Sequence, residues 1–219
     1  MSKDLILFGT GAHMKAVCQI LEAEGVSVKG FCVDDVYYKE STLLSKPVYR
    51  YSEFIKAFEP SSVLMFAPMS PKNRCRTRKE VFERFKNLGY SFYTFIHPGA
   101  KIYTKPENIG ENVYIGVYAG LHPDTVLSDN CYLGEAALIA HDTIIGKHSY
   151  IGARVTCAGG CRIGECVSIG LGVIIRTGTT IVAGSSLGLG VTIHRDILEP
   201  QTVIFSPLEE KWYSGKSKA

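Results

Sequence analysis

His141 and Asp142 stand in "ALIAHDTIIG", residues 136–145, an otherwise apolar run of small side chains. A polar pair is costly to bury without partners, so the two either face outward or are held inside for a reason. An imidazole beside a carboxylate is a general base with a group to orient it. Gly159 and Gly160 follow eighteen residues later. A glycine pair leaves bare backbone, which lets a ligand approach closely and exposes N–H donors. A base next to such donors fits acyl transfer: one group takes a proton, the other holds an oxyanion. The elements around them decide whether they meet.

Those elements repeat. Steps of six from Ile109 give Ile115, Leu121, Leu127, Leu133, Ile139, Ile145, Ile151, Cys157, Ile163, Ile169, Ile175, Ile181, Leu187 and Ile193. Glycine follows eight of these fifteen positions, and a small residue sits four after nearly every one, from Val113 to Val191. Neither a helix nor an ordinary strand holds a period of six. A parallel β-helix does: each hexad is one flat side, and three hexads close a triangular coil. Coils stack at roughly 4.8 Å. His141 then falls in an outward column with Pro123, Gly159, Thr177 and Arg195, so the imidazole is on the surface with the glycine pair one coil away. His122 and His194 are corner or packing residues, and His148 takes an ordinary surface position without a role.

Residues 1–95 read differently, as strands "LILFG", "VKGFCV", "SVLMFA" and "YSFYTFI" (90–96) alternating with helices. One helix spans 12–25, one starts on a Ser52 cap, and one spans 70–89 with Ser70 as cap and Pro71 in its first turn. Such alternation implies a small parallel α/β, Rossmann-like domain. Its first turn, "GTGAHM", carries Gly9, Gly11 and His13 at a helix start, a place that suits a phosphate or nucleotide. Asp34 and Asp35 end the second strand, where such folds set an acid on a ribose or base. The run "KNRCRTRK" (72–79) is either a solvated helix face or a diphosphate site. The domains expected are 1–95, a β-helix at 96–197, and a cap at 198–219.

The 219 residues carry a net charge of +3, too weak to imply nucleic acid or a membrane. The start of the chain is a poor signal peptide and a good first strand, which points to the cytoplasm. Seven cysteines include no CxxC pair. Cys157 and Cys161 fall in inward columns and read as small buried hydrophobes, not zinc ligands.

With "LILFGTGAH", "FIHPGAKI" and "AHDTIIG…CAGGCRIG" in place, the chain resembles the bacterial sugar-nucleotide acetyltransferases of the PglD and NeuD type. The resemblance covers nearly the whole chain. It implies a left-handed hexapeptide β-helix and a homotrimer with acetyl-CoA lying between neighbouring β-helices. It also implies transfer of an acetyl group to the amine of a nucleotide-linked amino-dideoxy sugar. His141 would be the general base, Asp142 its support, and Gly159 a backbone donor to the acetyl group. Gly160, Thr177, Gly178 and Arg195 would lie along the coenzyme. Gly9, Gly11, His13, Asp34, Asp35 and Ser70 would bind the nucleotide sugar. No metal is implied. Two departures stand out: "APMSPKNRCRTRK" is longer and more basic than the family's segment there, and "VIFSPLEEKWY" keeps only the proline of the usual end. Sugar O-acetylation by the same apparatus is the close alternative. A β-helical carbonic anhydrase is the remoter one, and it needs converging histidines that His122, His141 and His148 do not offer in their different columns.

Overall fold

The computed structural model describes residues 3–199 and 203–204. The first half is a six-stranded sheet: β1 (Asp4–Phe8), β2 (Val28–Val33), β3 (Thr42–Leu43), β4 (Lys46–Arg50), β5 (Val63–Phe66) and β6 (Ser91–Phe92), in the order β3-β4-β2-β1-β5-β6. All neighbours are parallel except the β3/β4 hairpin. That hairpin carries no alternating pattern long enough to be seen in the sequence. Helices α1 (Ala12–Ala23), α2 (Tyr51–Ala57) and α3 (Arg76–Asn87) cover the sheet. α1 turns Met14, Val17, Cys18 and Leu21 inward at helical spacing. The chain runs outward from β1 to one side and returns on the other at β5. This reversal opens a crevice beyond the carboxyl ends of β1 and β5, where doubly wound folds bind ligands.

Three expectations for this half need correction. α3 begins at Arg76, not Ser70. Asn73, Arg74 and Cys75 are all left-handed (φ 52, 50 and 62°), a turn that no helix can include. α2 is not capped by Ser52; the Ser52 backbone N–H donates to Oδ1 of Asp35 at 3.0 Å, so its cap comes from across the sheet edge. The stretch 90–96 is not one strand. Ser91–Phe92 closes the α/β sheet, and Phe95–Ile96 already pairs with Tyr114–Ile115 of the next element.

From there the chain forms a left-handed parallel β-helix of hexapeptide repeats. Three walls repeat every eighteen residues. The first holds Phe95–Ile96, Tyr114–Ile115, Tyr132–Leu133, Tyr150–Ile151, Ser168–Ile169, Ser186–Leu187 and Val203–Ile204. The second runs from Lys101–Ile102 to Thr192–Ile193, and the third from Val126–Leu127 to Thr180–Ile181. The six-step aliphatics from Ile115 onward, Cys157 among them, are buried in one continuous core, and Ile109 packs partly buried against it. Tyr114, Tyr132 and Tyr150 stack on the first wall at 4.6 Å between successive ring centroids, the spacing of the coils themselves.

The α/β half sits on this first wall: Tyr114 and Tyr132 share a core cluster with Leu5, Val17 and Phe31. A polar ladder fixes the corner beside it. Asn112 accepts from Ala67 N–H at 2.8 Å and donates to Asn130 Oδ1 at 2.8 Å. Asn130 donates in turn to the Arg78 carbonyl and to His148 Nδ1. His148 is therefore no surface residue. It is 3 % exposed, beneath α3, with its ring edge-on to Phe82. Burial, with Lys79 and Arg78 nearby, depresses its pKa to about 4, so it is neutral.

Candidate active site

His141 and Asp142 lie at the corner between the second and third walls, after Leu138–Ile139 and before Ile144–Ile145. Both side chains are 64 % exposed. His141 Nδ1 and Asp142 Oδ2 are 2.7 Å apart. Since a carboxylate only accepts, Nδ1 carries a hydrogen, so in the neutral ring it is Nε2 that holds the lone pair. Asp142 reaches this pose from a left-handed backbone (φ 57°), which a short acidic side chain tolerates.

The imidazole lies over Gly159, as the eighteen-residue column requires. A Cβ on Gly159 would come within 2.7 Å of both Cε1 and Nε2 of His141. Glycine is thus what allows the ring to lie there. The Gly159 N–H makes no backbone hydrogen bond among the described residues, whereas its carbonyl accepts from Gly178 N–H at 3.0 Å. The glycine pair offers fewer donors than the sequence implies, because Gly160 N–H is bonded to the His141 carbonyl at 2.9 Å. Gly160, half-buried, and Gly178, exposed, both at φ 71°, are the turn residues of their corners. Thr177 and Arg195 are exposed in the same column, and Arg195 borders a shallow hollow of about 170 Å³ with His194 and Ile193.

The crevice of the α/β half gathers four of its six expected residues. Gly9, Gly11, His13 and Ser70 line one hollow of about 150 Å³, together with Met69 and Lys72. His13 donates from Nε2 to the Pro68 carbonyl at 2.8 Å, and its ring rests against Tyr132. It therefore ties the two lips of the crevice together. Asp34 and Asp35 are outside this lining: Asp34 pairs with Arg84 at 2.6 Å, and Asp35 holds Ser52. That contact with Ser52 lowers the Asp35 pKa. Lys72 belongs to the run 72–79 that reads as either a solvated helix face or a diphosphate site; its members diverge, and Lys72 is the one that lines this hollow. Among the described residues no group of three His, Cys, Asp or Glu side chains is placed to hold a metal ion. His148 lies on a different corner from His122 and His141, under α3.

The two sites lie on opposite sides of the β-helix within one chain. The crevice sits over the first wall, and His141 occupies the corner across the triangle from that wall. The second and third walls also expose Leu138, Ile144 and Ile174 outward.

No family model and no curated protein matches the chain. Solved structures do. The acetyltransferase domain of PglB from Neisseria gonorrhoeae FA1090 superposes with a TM-score of 0.81 at 24% identity, covering 94% of this chain and 97% of that one. The same domain in complex with acetyl coenzyme A gives a TM-score of 0.81 at 23% identity, with the same coverage. PerB from Caulobacter crescentus, in complex with CoA and GDP-perosamine, gives 0.80 at 23% identity, covering 94% of this chain and 95% of that one. These likenesses establish a shared fold over 94% of the chain.

Proposed function

We propose that this protein is an acetyl-CoA-dependent N-acetyltransferase acting on the amine of a nucleotide-linked amino-dideoxy sugar. One observation carries it: an exposed imidazole with Nδ1 on a carboxylate and Nε2 free, lying over a glycine whose N–H is unused. The shared fold with proteins solved with acetyl coenzyme A, and with CoA and GDP-perosamine, supports the choice of both substrates.

The chemistry follows from these groups. The neutral amine of the sugar attacks the thioester carbonyl carbon, and a C–N bond forms. The carbonyl electrons move onto oxygen, where Gly159 N–H stabilises the charge. His141 Nε2 takes the proton from the attacking nitrogen, while Asp142 holds the ring and favours the imidazolium. The C–S bond then breaks, and the proton held on His141 Nε2 passes to the departing sulfur, so that CoA leaves as a thiol and the imidazole is restored. The coenzyme would run along the column of Gly159, Gly160, Thr177, Gly178 and Arg195. The nucleotide would occupy the crevice of Gly9, Gly11, His13 and Ser70, near the start of α1.

We read the working unit as a homotrimer in the cytoplasm, with the domains divided at 1–95 and 96–197. The expected cap at 198–219 lies almost wholly outside the described residues. A crevice and a base on opposite sides of one β-helix need a neighbouring copy to face each other. Exposed leucine and isoleucine on the free walls suit that contact. No helix of the described residues is long and apolar enough to cross a membrane.

The test is direct. The purified protein is given acetyl-CoA with a panel of GDP-, UDP- and dTDP-linked amino sugars, and free thiol is followed. A product one acetyl group heavier and stable to mild base marks an amide. A base-labile product would assign the hydroxyl reaction instead. No thiol release with any amino sugar would overturn the proposal.

A further inference from the structure

The basic run 72–79 divides in three. Lys72 turns to the nucleotide crevice, and Arg78 is fully buried. Arg74, Arg76 and Lys79 line a separate cleft of about 300 Å³ between the start of α3 and the β-helix corner of Glu165, Cys166 and Gly184. Lys79 also approaches Glu83 at 3.7 Å, and Glu165 is the one carboxylate in the lining. Arg74 and Arg76 make no ion pair among the described residues. The left-handed turn at Asn73, Arg74 and Cys75 aims the chain so that both arginines border the same cleft. α3 enters it with no acidic residue in its first turn and no side-chain cap, so the positive end of its dipole is uncompensated.

A second observation stands behind the cleft wall. The Arg78 guanidinium donates from Nη1 to the Ser149 carbonyl at 2.8 Å, but Nε and Nη2 have no partner. Arg78 adjoins the cleft through its chain neighbour Lys79 and through Cys75, whose thiol reaches the Val167 carbonyl at 3.9 Å beside the wall residue Cys166. No carboxylate is paired with Arg78 among the described residues. A buried guanidinium without a counter-charge is strongly unfavourable. An anion in the adjoining cleft would offset that cost.

We propose that this cleft is a phosphate-binding site, separate from the nucleotide crevice at Gly9 and Gly11. Two arginines and a lysine around a helix start match a phosphate dianion, for which guanidinium forks and helix N–H groups are the usual donors. The bound group is a phosphate monoester or free phosphate. It lies on the corner at the far side of the third wall from His141, so it recognises charge and takes no part in proton transfer.

Titration of the full chain with inorganic phosphate, in phosphate-free buffer and followed by calorimetry, tests this. One saturable site per chain is expected. Arg74→Gln with Arg76→Gln should weaken it at least about tenfold, since each charge-assisted hydrogen bond is individually strong. Glu165→Gln should tighten it. All three positions are at the surface, and an unchanged melting temperature certifies the fold. The control is Arg154→Gln with Arg162→Gln, which removes the same charge elsewhere. Repeating the titration with CoA and 3′-dephospho-CoA, and with GDP and UDP, identifies the source of the phosphate. A loss confined to CoA assigns its 3′-phosphate, a loss with the nucleotides assigns theirs, and a loss with phosphate alone assigns a free anion. The site is refuted if phosphate does not saturate, if the cleft variants bind like wild type, or if the remote pair weakens binding as much. None of these results depends on acetyl transfer, so this site and the proposed reaction stand or fall separately.

Discussion

His141 touches no core residue, so its replacement separates chemistry from folding. His141→Asn should leave the melting temperature unchanged and lower kcat by roughly 10²–10⁴ at neutral pH, the usual worth of a general base. The deficit should narrow above about pH 8, where an amine of ordinary basicity is already unprotonated. Near-wild-type kcat with a true acceptor would remove the base. Asp142→Asn should cost less, because Asp142 orients the ring through Nδ1 and takes no proton itself. His148 predicts a different pH effect. Its pKa is about 4 in the folded chain and near 6.5 when unfolded. Between those values the unfolded chain binds the extra proton, so stability falls as pH drops from about 6.5 towards 4 and is complete above that window. The contribution is up to about 3 kcal/mol, from the roughly 1.4 kcal/mol carried by each pKa unit. Denaturant midpoints from pH 7 to pH 4 measure it. The slope should flatten in His148→Gln if Asn130 retains a partner, and an unchanged slope would assign the acid sensitivity elsewhere.

At the scale of the coil, two glycines at different positions of the hexad, Gly134 directly after the core Leu133 and Gly159 two residues after Cys157, should behave oppositely. Gly134 follows a core leucine, and a Cβ there would meet the Ala153 backbone nitrogen at 2.6 Å. Backbone cannot yield without parting two coils, so Gly134→Ala should destabilise the chain by about 2 kcal/mol or more. Gly159 lies at a corner beneath the exposed His141 ring, and the three atoms nearest its added Cβ all belong to that ring. Gly159→Ala should therefore keep the melting temperature while the ring swings aside and kcat falls. Thermal melts and steady-state rates on both variants distinguish a coil contact from a site contact. Equal losses of stability would mean that the ring at Gly159 is as fixed as backbone.

For the molecule as a whole, the placement of the α/β half matters most. It covers the first wall and leaves the corner of His141 open on the opposite side. Light scattering should report a trimer at micromolar concentration, and a monomer would leave the nucleotide crevice without a base to face. Replacing outward Ile174 or Leu138 by a charged residue should dissociate the assembly and abolish activity, while each chain keeps its β-sheet spectrum. An active monomer would contradict the shared site.

The β-helix was legible from residue 109 onward because its rule is local and repeated. An aliphatic every sixth residue has one way to stay buried, and the register then carries His141 over Gly159 without any tertiary information. Gly9, Gly11, His13 and Ser70 could also be placed, since a turn after a strand lies at the sheet's carboxyl edge whatever surrounds it. The other half resisted because its decisive contacts join residues distant in the chain. Arg78 and His148 look like a surface cation and a surface histidine, and only the packing of α3 on the β-helix buries them. Asp35 looks like a ribose ligand until α2 arrives and takes it as a cap. The run 72–79 has a helical composition, but three left-handed residues turn it, and its cations are divided between two clefts and the buried seam. A periodic element is specified by its own repeat, whereas a seam between two elements is specified by neither sequence alone.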